Sequence, residues 1–133
     1  MRLWHMALIK QLSNQRLLGQ HRECCALRGK GWGKPHSTVD YVFKRNYQRL
    51  WQYHNIVINE MLSRKMNIDA NWYHVLYRGK ILGYVESKDL PRPEGGMCVW
   101  PNNVYPEHDD AYLAECVRLL EERGDSKLKR TTY

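Results

Sequence analysis

Glu23 is the only acidic residue between Met1 and Val39, and it stands among Arg16, Arg22 and Arg28. A solvated helix face usually mixes both signs, so a lone carboxylate in a cationic neighbourhood has the composition of a reaction site. Such a group can move a proton or stabilise a developing positive charge while the arginines hold phosphate. The plain alternative is a salt bridge from Glu23 to Arg16 or Arg22. Small residues at Gly19 and Ala26 leave room for a ligand to approach closely.

The element that must position these groups is the stretch Ser13 to Arg28, SNQRLLGQHRECCALR, which reads as one helix. Ser13 or Asn14 caps its start and Gly29 supplies its stop. Leu17, Leu18, His21, Cys24 and Cys25 fall on one side of the wheel; Gln15, Arg16, Gly19, Gln20, Arg22, Glu23 and Ala26 fall on the other. Ahead of it, MRLWHMALIKQL is an apolar leader, and a leader tucked against the core would hold the terminal amine in one place.

The order of these pieces, a short leader, then Leu, Gln15, Leu and the triplet His21-Arg22-Glu23, resembles the phage-type pyrimidine-dimer DNA glycosylase, or endonuclease V, of DNA excision repair. A second similarity lies near the other end, where Tyr105, Pro106, His108 and Arg118 stand where the family has a Tyr-Pro pair, a His at a helix start and an Arg ten residues on. The resemblance implies a DNA glycosylase with coupled abasic-site lyase activity. Its catalytic carboxylate is Glu23, its nucleophile is the α-amine of the chain terminus, here Met1, and Arg22 binds DNA at the lesion. The family carries a small residue at position 2; Arg2 here implies that Met1 is retained. The DNA-binding set expected on this basis is Arg2, Gln15, Arg16, Arg22, Arg28, Lys30, Lys34 and Arg118, without metal or cofactor, and the partner is double-stranded DNA with a damaged or abasic nucleotide.

Charge is consistent with that partner. Lys and Arg total 21 against 14 acids, a net charge of +7. The excess is concentrated: residues 1–50 hold ten Lys/Arg and two acids, whereas residues 51–133 are nearly balanced. A polyanionic partner is therefore expected to meet the first third of the chain. Cys24, Cys25, Cys98 and Cys116 form no CxxC pattern and read as reduced structural thiols. The leader is too short and too interrupted to span a bilayer or act as a signal peptide, so a cytoplasmic monomer with no membrane partner is expected.

A length of 133 residues suits one domain, expected over residues 1–124 with a basic tail from 125. The fold class expected is mainly α: a compact three-helix domain with a long central helix and a small β-hairpin or irregular insertion. Val39, Phe43, Tyr47, Leu50, His54, Val57, Ile58 and Met61 recur at helical spacing with no Gly or Pro between Ser37 and Met66, which predicts one unbroken helix opened by a Ser37/Asp40 capping box. His54 on this stripe reads as a core residue. The loop GKGWGKP puts two lysines beside Trp32, which either stacks on a ligand or folds inward. Residues 72–85 predict a hairpin turning at Gly79, its basic tip free to reach into a groove or simply solvated. The last helix is expected from about Glu107 to Arg123. The competing functional reading is a non-catalytic nucleic-acid-binding module on the same scaffold; a weaker one is an RNA-directed or modified-base specialist.

Overall fold

The computed structural model describes residues 2–96 and 103–124. Met1, Cys98 and the tail from residue 125, all singled out from the sequence, lie outside them. The chain is mainly α. A 3-10 helix over Met6–Gln11 leads into α1 (Asn14–Arg28), followed by a 3-10 helix at Asp40–Lys44 and by α2 (Tyr47–Ser63). Shorter turns at Ala70–Tyr73 and Ser87–Asp89 flank the one-turn α3 (Gly79–Leu82), and α4 (Asp110–Glu122) closes the described chain.

α1 begins where its sequence says it should. Ser13 Oγ accepts from the Arg16 amide at 3.2 Å, and the Gly29 amide donates back to Cys25 O and Ala26 O at the far end. The principal core gathers leader residues Leu3, Leu8 and Ile9, α1 residues Leu17, Cys24 and Leu27, and Leu50, Tyr53, Val57 and Met61 of α2. Cys116 and Leu120 of α4 complete it. Leader burial is thus part of core formation, and Leu3 and Ile9 are wholly inaccessible.

The long central helix is broken. Its first turn is the separate 3-10 helix, and the backbone is extended at Arg45 and Asn46 before α2 begins. The cause is a distant loop. Asn46 exchanges hydrogen bonds with Glu94, its amide donating to Glu94 Oε1 at 2.7 Å and its Oδ1 accepting from the Glu94 amide at 2.9 Å. Glu94 also receives Arg49 on both oxygens at 2.7 Å, and these hydrogen bonds hold its carboxyl down at about 2. Asp40 does not serve Ser37 but accepts from the His36 amide at 2.7 Å. The hairpin is also reduced: among the described residues it amounts to one antiparallel bridge, Tyr77 to Tyr84, around α3. α4 starts three residues later than expected, capped by Asp109 accepting from the Tyr112 amide at 2.8 Å.

Arg28 departs furthest from expectation. Placed by its sequence on the basic face that meets DNA, it is instead completely buried. Its Nε donates to Tyr47 Oη at 2.9 Å, Nη1 to His54 Nδ1 at 2.9 Å and Trp72 O at 2.8 Å, and Nη2 to His74 O at 2.9 Å and Tyr77 O at 3.0 Å. All five guanidinium donors are therefore used, and the cation also lies 4.9 Å from the Trp72 ring centroid. It welds α1 to α2 and to the 72–77 segment. Arg28→Met should cost about 3–5 kcal/mol, because hydroxyl, imidazole and carbonyl acceptors are left unpaired in the interior. Urea unfolding of the variant checks this, and a loss below about 1 kcal/mol would show the network to be dispensable.

Candidate active site

Residues 2–4 of the leader run against α1 without a strand to pair with, so side chains must satisfy their main-chain polar groups. Gln20 does most of this. Its Oε1 accepts from the Trp4 amide at 2.7 Å, and its Nε2 donates to Arg2 O at 2.9 Å and to Glu23 Oε2 at 3.2 Å. From α2, the Tyr53 hydroxyl donates to Trp4 O and lies 2.9 Å from Gln20 Oε1. From α4, the Tyr112 hydroxyl donates to Leu3 O at 2.6 Å. Three helices thus hold one short stretch of backbone.

Glu23 completes the arrangement. Its Oε2 accepts from the Arg2 main-chain nitrogen at 3.1 Å. Burial raises the Glu23 pKa from its ordinary value, with the Arg2 and Gln20 hydrogen bonds pulling the other way. A half-buried carboxylate of this kind takes up a proton more readily than a solvated one.

The expected DNA-binding residues separate into three groups. Gln15 and Arg22 are exposed on the outward stripe of α1, and Lys30 and Lys34 are exposed on the loop that follows it. Arg16 is half-buried, and Arg118 is paired with Glu122 at 2.8 Å along α4. Arg2 and Arg28 are turned to other work. The Arg2 guanidinium reaches Glu115 at 2.9 Å and sits 5.8 Å from the Tyr112 ring centroid, so its side chain fastens the leader to α4. Trp32 folds inward, edge-on to Phe43 at 5.1 Å.

Sequence reasoning missed Gln20, Tyr53 and Tyr112. Gln20 was assigned to the outward side of α1, yet it is 2 % exposed. One signal was available: it lies three residues before Glu23, on the same helical face. Beside the leader, a cavity of about 270 Å³ is lined by Arg2, Thr38, Tyr41, His108, Tyr112 and the carboxylates Glu107 and Glu115. Burial beside His5 drives the His108 pKa down to about 3, so it is neutral there.

On another face of α1, His21, Cys25 and His54 bring their donor atoms within 4.8 Å of one another. The neighbouring Arg28 decides how this trio is used. A guanidinium only donates, so His54 Nδ1 must accept from it. His54 Nε2 then carries the proton and donates to His21 Nδ1 at 2.8 Å, leaving no His54 lone pair for a cation. Burial pushes the Cys25 thiol up to about 12, far from the thiolate a metal needs.

The family model described as pyrimidine dimer DNA glycosylase matches residues 1–74, more than half of the chain. The chain belongs to that family. A role as a DNA glycosylase in repair follows, with DNA as substrate. No curated protein and no solved structure matches the chain. The matched region carries the leader, α1, α2 and the Glu23–Gln20–Tyr53 contacts; Tyr112 and Glu115 lie beyond it. Among the described residues, no helix is long and apolar enough to cross a membrane.

Gln20→Leu, which keeps the volume and removes the amide, should lower kcat for dimer excision by about 10- to 100-fold through lost positioning and cost about 1–3 kcal/mol of stability. Tyr53→Phe removes a single donor and should do less. Steady-state kinetics with urea unfolding separates the two effects; a kcat within about twofold of wild type for Gln20→Leu would show that the amide does not position the carboxylate.

Proposed function

We propose that this protein excises a pyrimidine-dimer base and then cleaves the strand at the resulting abasic site, through an imine formed by its N-terminal α-amine. The observation that carries the reading is the 3.1 Å hydrogen bond from the Arg2 main-chain nitrogen to Glu23 Oε2. The main-chain nitrogen of residue 2 and Glu23, the sole acid ahead of Val39, share one spot.

The chemistry follows from the groups. An α-amine has a reference pKa of about 7.7–8.0, so part of it is neutral at physiological pH, unlike a lysine. The neutral amine attacks the sugar C1′ as the glycosidic bond breaks and the base leaves with the bonding pair. Transfer of a proton from the new C–N adduct to O4′, with cleavage of the C1′–O4′ bond, opens the sugar ring and gives the protonated imine. Abstraction of a C2′ proton then expels the 3′ phosphate by β-elimination. Glu23 stabilises the positive charge that develops on the sugar and carries these protons. Arg22, exposed beside it, holds the phosphates, with Gln15, Lys30 and Lys34 extending the contact. The amine is that of Met1, one residue before the main-chain nitrogen that meets Glu23.

Borohydride trapping on an abasic-site duplex and on a cyclobutane-dimer duplex, with mass mapping of the adduct, tests this. An adduct on the terminal residue from both substrates is the expected result. An adduct on an internal lysine moves the nucleophile; salt-sensitive binding with no adduct leaves a binding module.

Glu23→Gln should abolish turnover and leave DNA affinity within about threefold. It should also stabilise the fold at neutral pH. Because the Glu23 pKa is raised on folding, the native state holds its proton more tightly, and stability falls as pH rises from the unfolded value through the folded one. The advantage of the Gln variant is therefore present above that window and fades as pH drops below it. Thermal melts across pH 3.5–8 check the sign of this prediction.

A further inference from the structure

The segment 73–84 carries a cluster of exposed large apolar side chains. Ile81 is 73 % exposed, Tyr84 54 %, Leu82 40 % and Tyr73 37 %. Single apolar residues on a surface need no explanation, but four on one knob do. The knob is also built to hold its shape. The Arg78 amide donates to Gly83 O at 2.9 Å, the Gly83 amide to Gly79 O at 2.7 Å and the Val85 amide to Leu76 O at 2.9 Å. Glycines with φ of 98° at Gly79 and 62° at Gly83 turn the chain at either end of α3, a conformation that side chains disfavour. Tyr84 is tied by its hydroxyl to Asn71 Oδ1 at 2.6 Å.

Its placement relates it to the site. Arg78 Nε donates to Arg28 O at 2.7 Å, so the knob hangs from the last residue of the helix that bears Glu23. Five residues of helix separate Arg28 from Glu23, about 7.5 Å along the axis and about 140° around it. The same end of α1 leads into exposed Lys30 and Lys34, and the knob itself exposes Lys80, with acids only at its two ends, Asp69 and Glu86. Apolar side chains on a stiff support with lysines exposed beside them have the make-up of a wedge for a duplex: the cations meet phosphates and the aliphatic tips enter the base stack.

We infer that the α3 knob is a DNA wedge, with Ile81 and Leu82 inserting between base steps beside the lesion and Lys80 contacting the backbone. This inference rests on the proposed action on damaged duplex DNA and adds an element beyond the matched 1–74 region. Its function is to unstack the duplex so that the damaged nucleotide reaches Glu23; at an abasic site the base is already gone and the wedge has less to do.

The test compares the full chain with Ile81→Ala/Leu82→Ala on a dimer duplex carrying 2-aminopurine in the adjacent step. Both side chains are exposed, and thermal melts verify that the fold is kept. The wild type should raise 2-aminopurine fluorescence on binding, and the double variant should lose most of the rise. Excision from the dimer duplex should fall about tenfold more than cleavage of an abasic duplex, and Ile81→Met with Leu82 intact should restore it. Lys80→Ala should reduce the salt slope of binding by about one. An unchanged fluorescence rise, or equal losses on both substrates, would overturn the wedge. So would light scattering that showed a wild-type dimer abolished in the double variant, since the patch would then belong to a second copy. The fluorescence reading needs no chemistry. Unstacking without a borohydride adduct sinks the lyase mechanism alone, and an adduct without unstacking sinks the wedge alone.

Discussion

A guanidinium without a carboxylate holds this molecule together. Arg28 is buried against hydroxyl, imidazole and main-chain carbonyl acceptors, so its charge is balanced by dipoles and two aromatic faces rather than by an ion. Each acceptor comes from outside α1: Tyr47 and His54 from α2, and the carbonyls of Trp72, His74 and Tyr77 from an irregular segment. A segment that pairs its own backbone so little needs an external donor to define it. Arg28 gives it one, and the α3 knob inherits its position through Arg78 and the Arg28 carbonyl.

α1 is consequently used on three faces. Gln20 and Glu23 hold the leader, His21, Cys25 and Arg28 bind α2 and the 72–77 segment, and Gln15, Arg22 and Ala26 remain toward solvent. The leader face shows why an irregular strand can be held rigidly. Gln20 offers both an acceptor and donors, so one amide serves Trp4, Arg2 and Glu23, whereas an acid or a hydroxyl in its place would satisfy fewer of them.

Much of this was legible in the sequence, and the part that was not has a common cause. The α1 boundaries, the mainly helical class and the buried leader follow from caps, periodicity and apolar spacing, all local signals. Arg28 was misplaced because charge alone puts an arginine outside, and nothing near it in sequence announces acceptors 19 to 49 residues away. The break before α2 has the same origin. No residue between Ser37 and Met66 forbids a helix, and the interruption is imposed by Glu94 binding Asn46 and Arg49 from 45 to 48 residues downstream. At the site, Glu23 was found because it was chemically conspicuous. Gln20, which makes the geometry, was not, since a neutral amide on a wheel looks like solvent-facing filler until the leader is laid across it.

Arg2 joins the leader to two helices at once. Its backbone nitrogen meets Glu23 and its side chain meets Glu115, so one residue connects the carboxylate on α1 to α4. With a small side chain there the leader would still meet α4 through the core residues Cys116 and Leu120 and the Tyr112 bond to Leu3 O, but not through an ion pair. The arginine adds that ion pair from α4, which lies outside the region matched to the family. Desolvation has a cost in this design. The contacts that exclude water from around Glu23 also raise its pKa, so the carboxylate is less stable ionised in the folded chain than in the unfolded one. The Arg2 and Gln20 hydrogen bonds offset part of that penalty while fixing where the carboxylate points, and the buried leader supplies the remaining stability through Leu3, Trp4, Leu8 and Ile9.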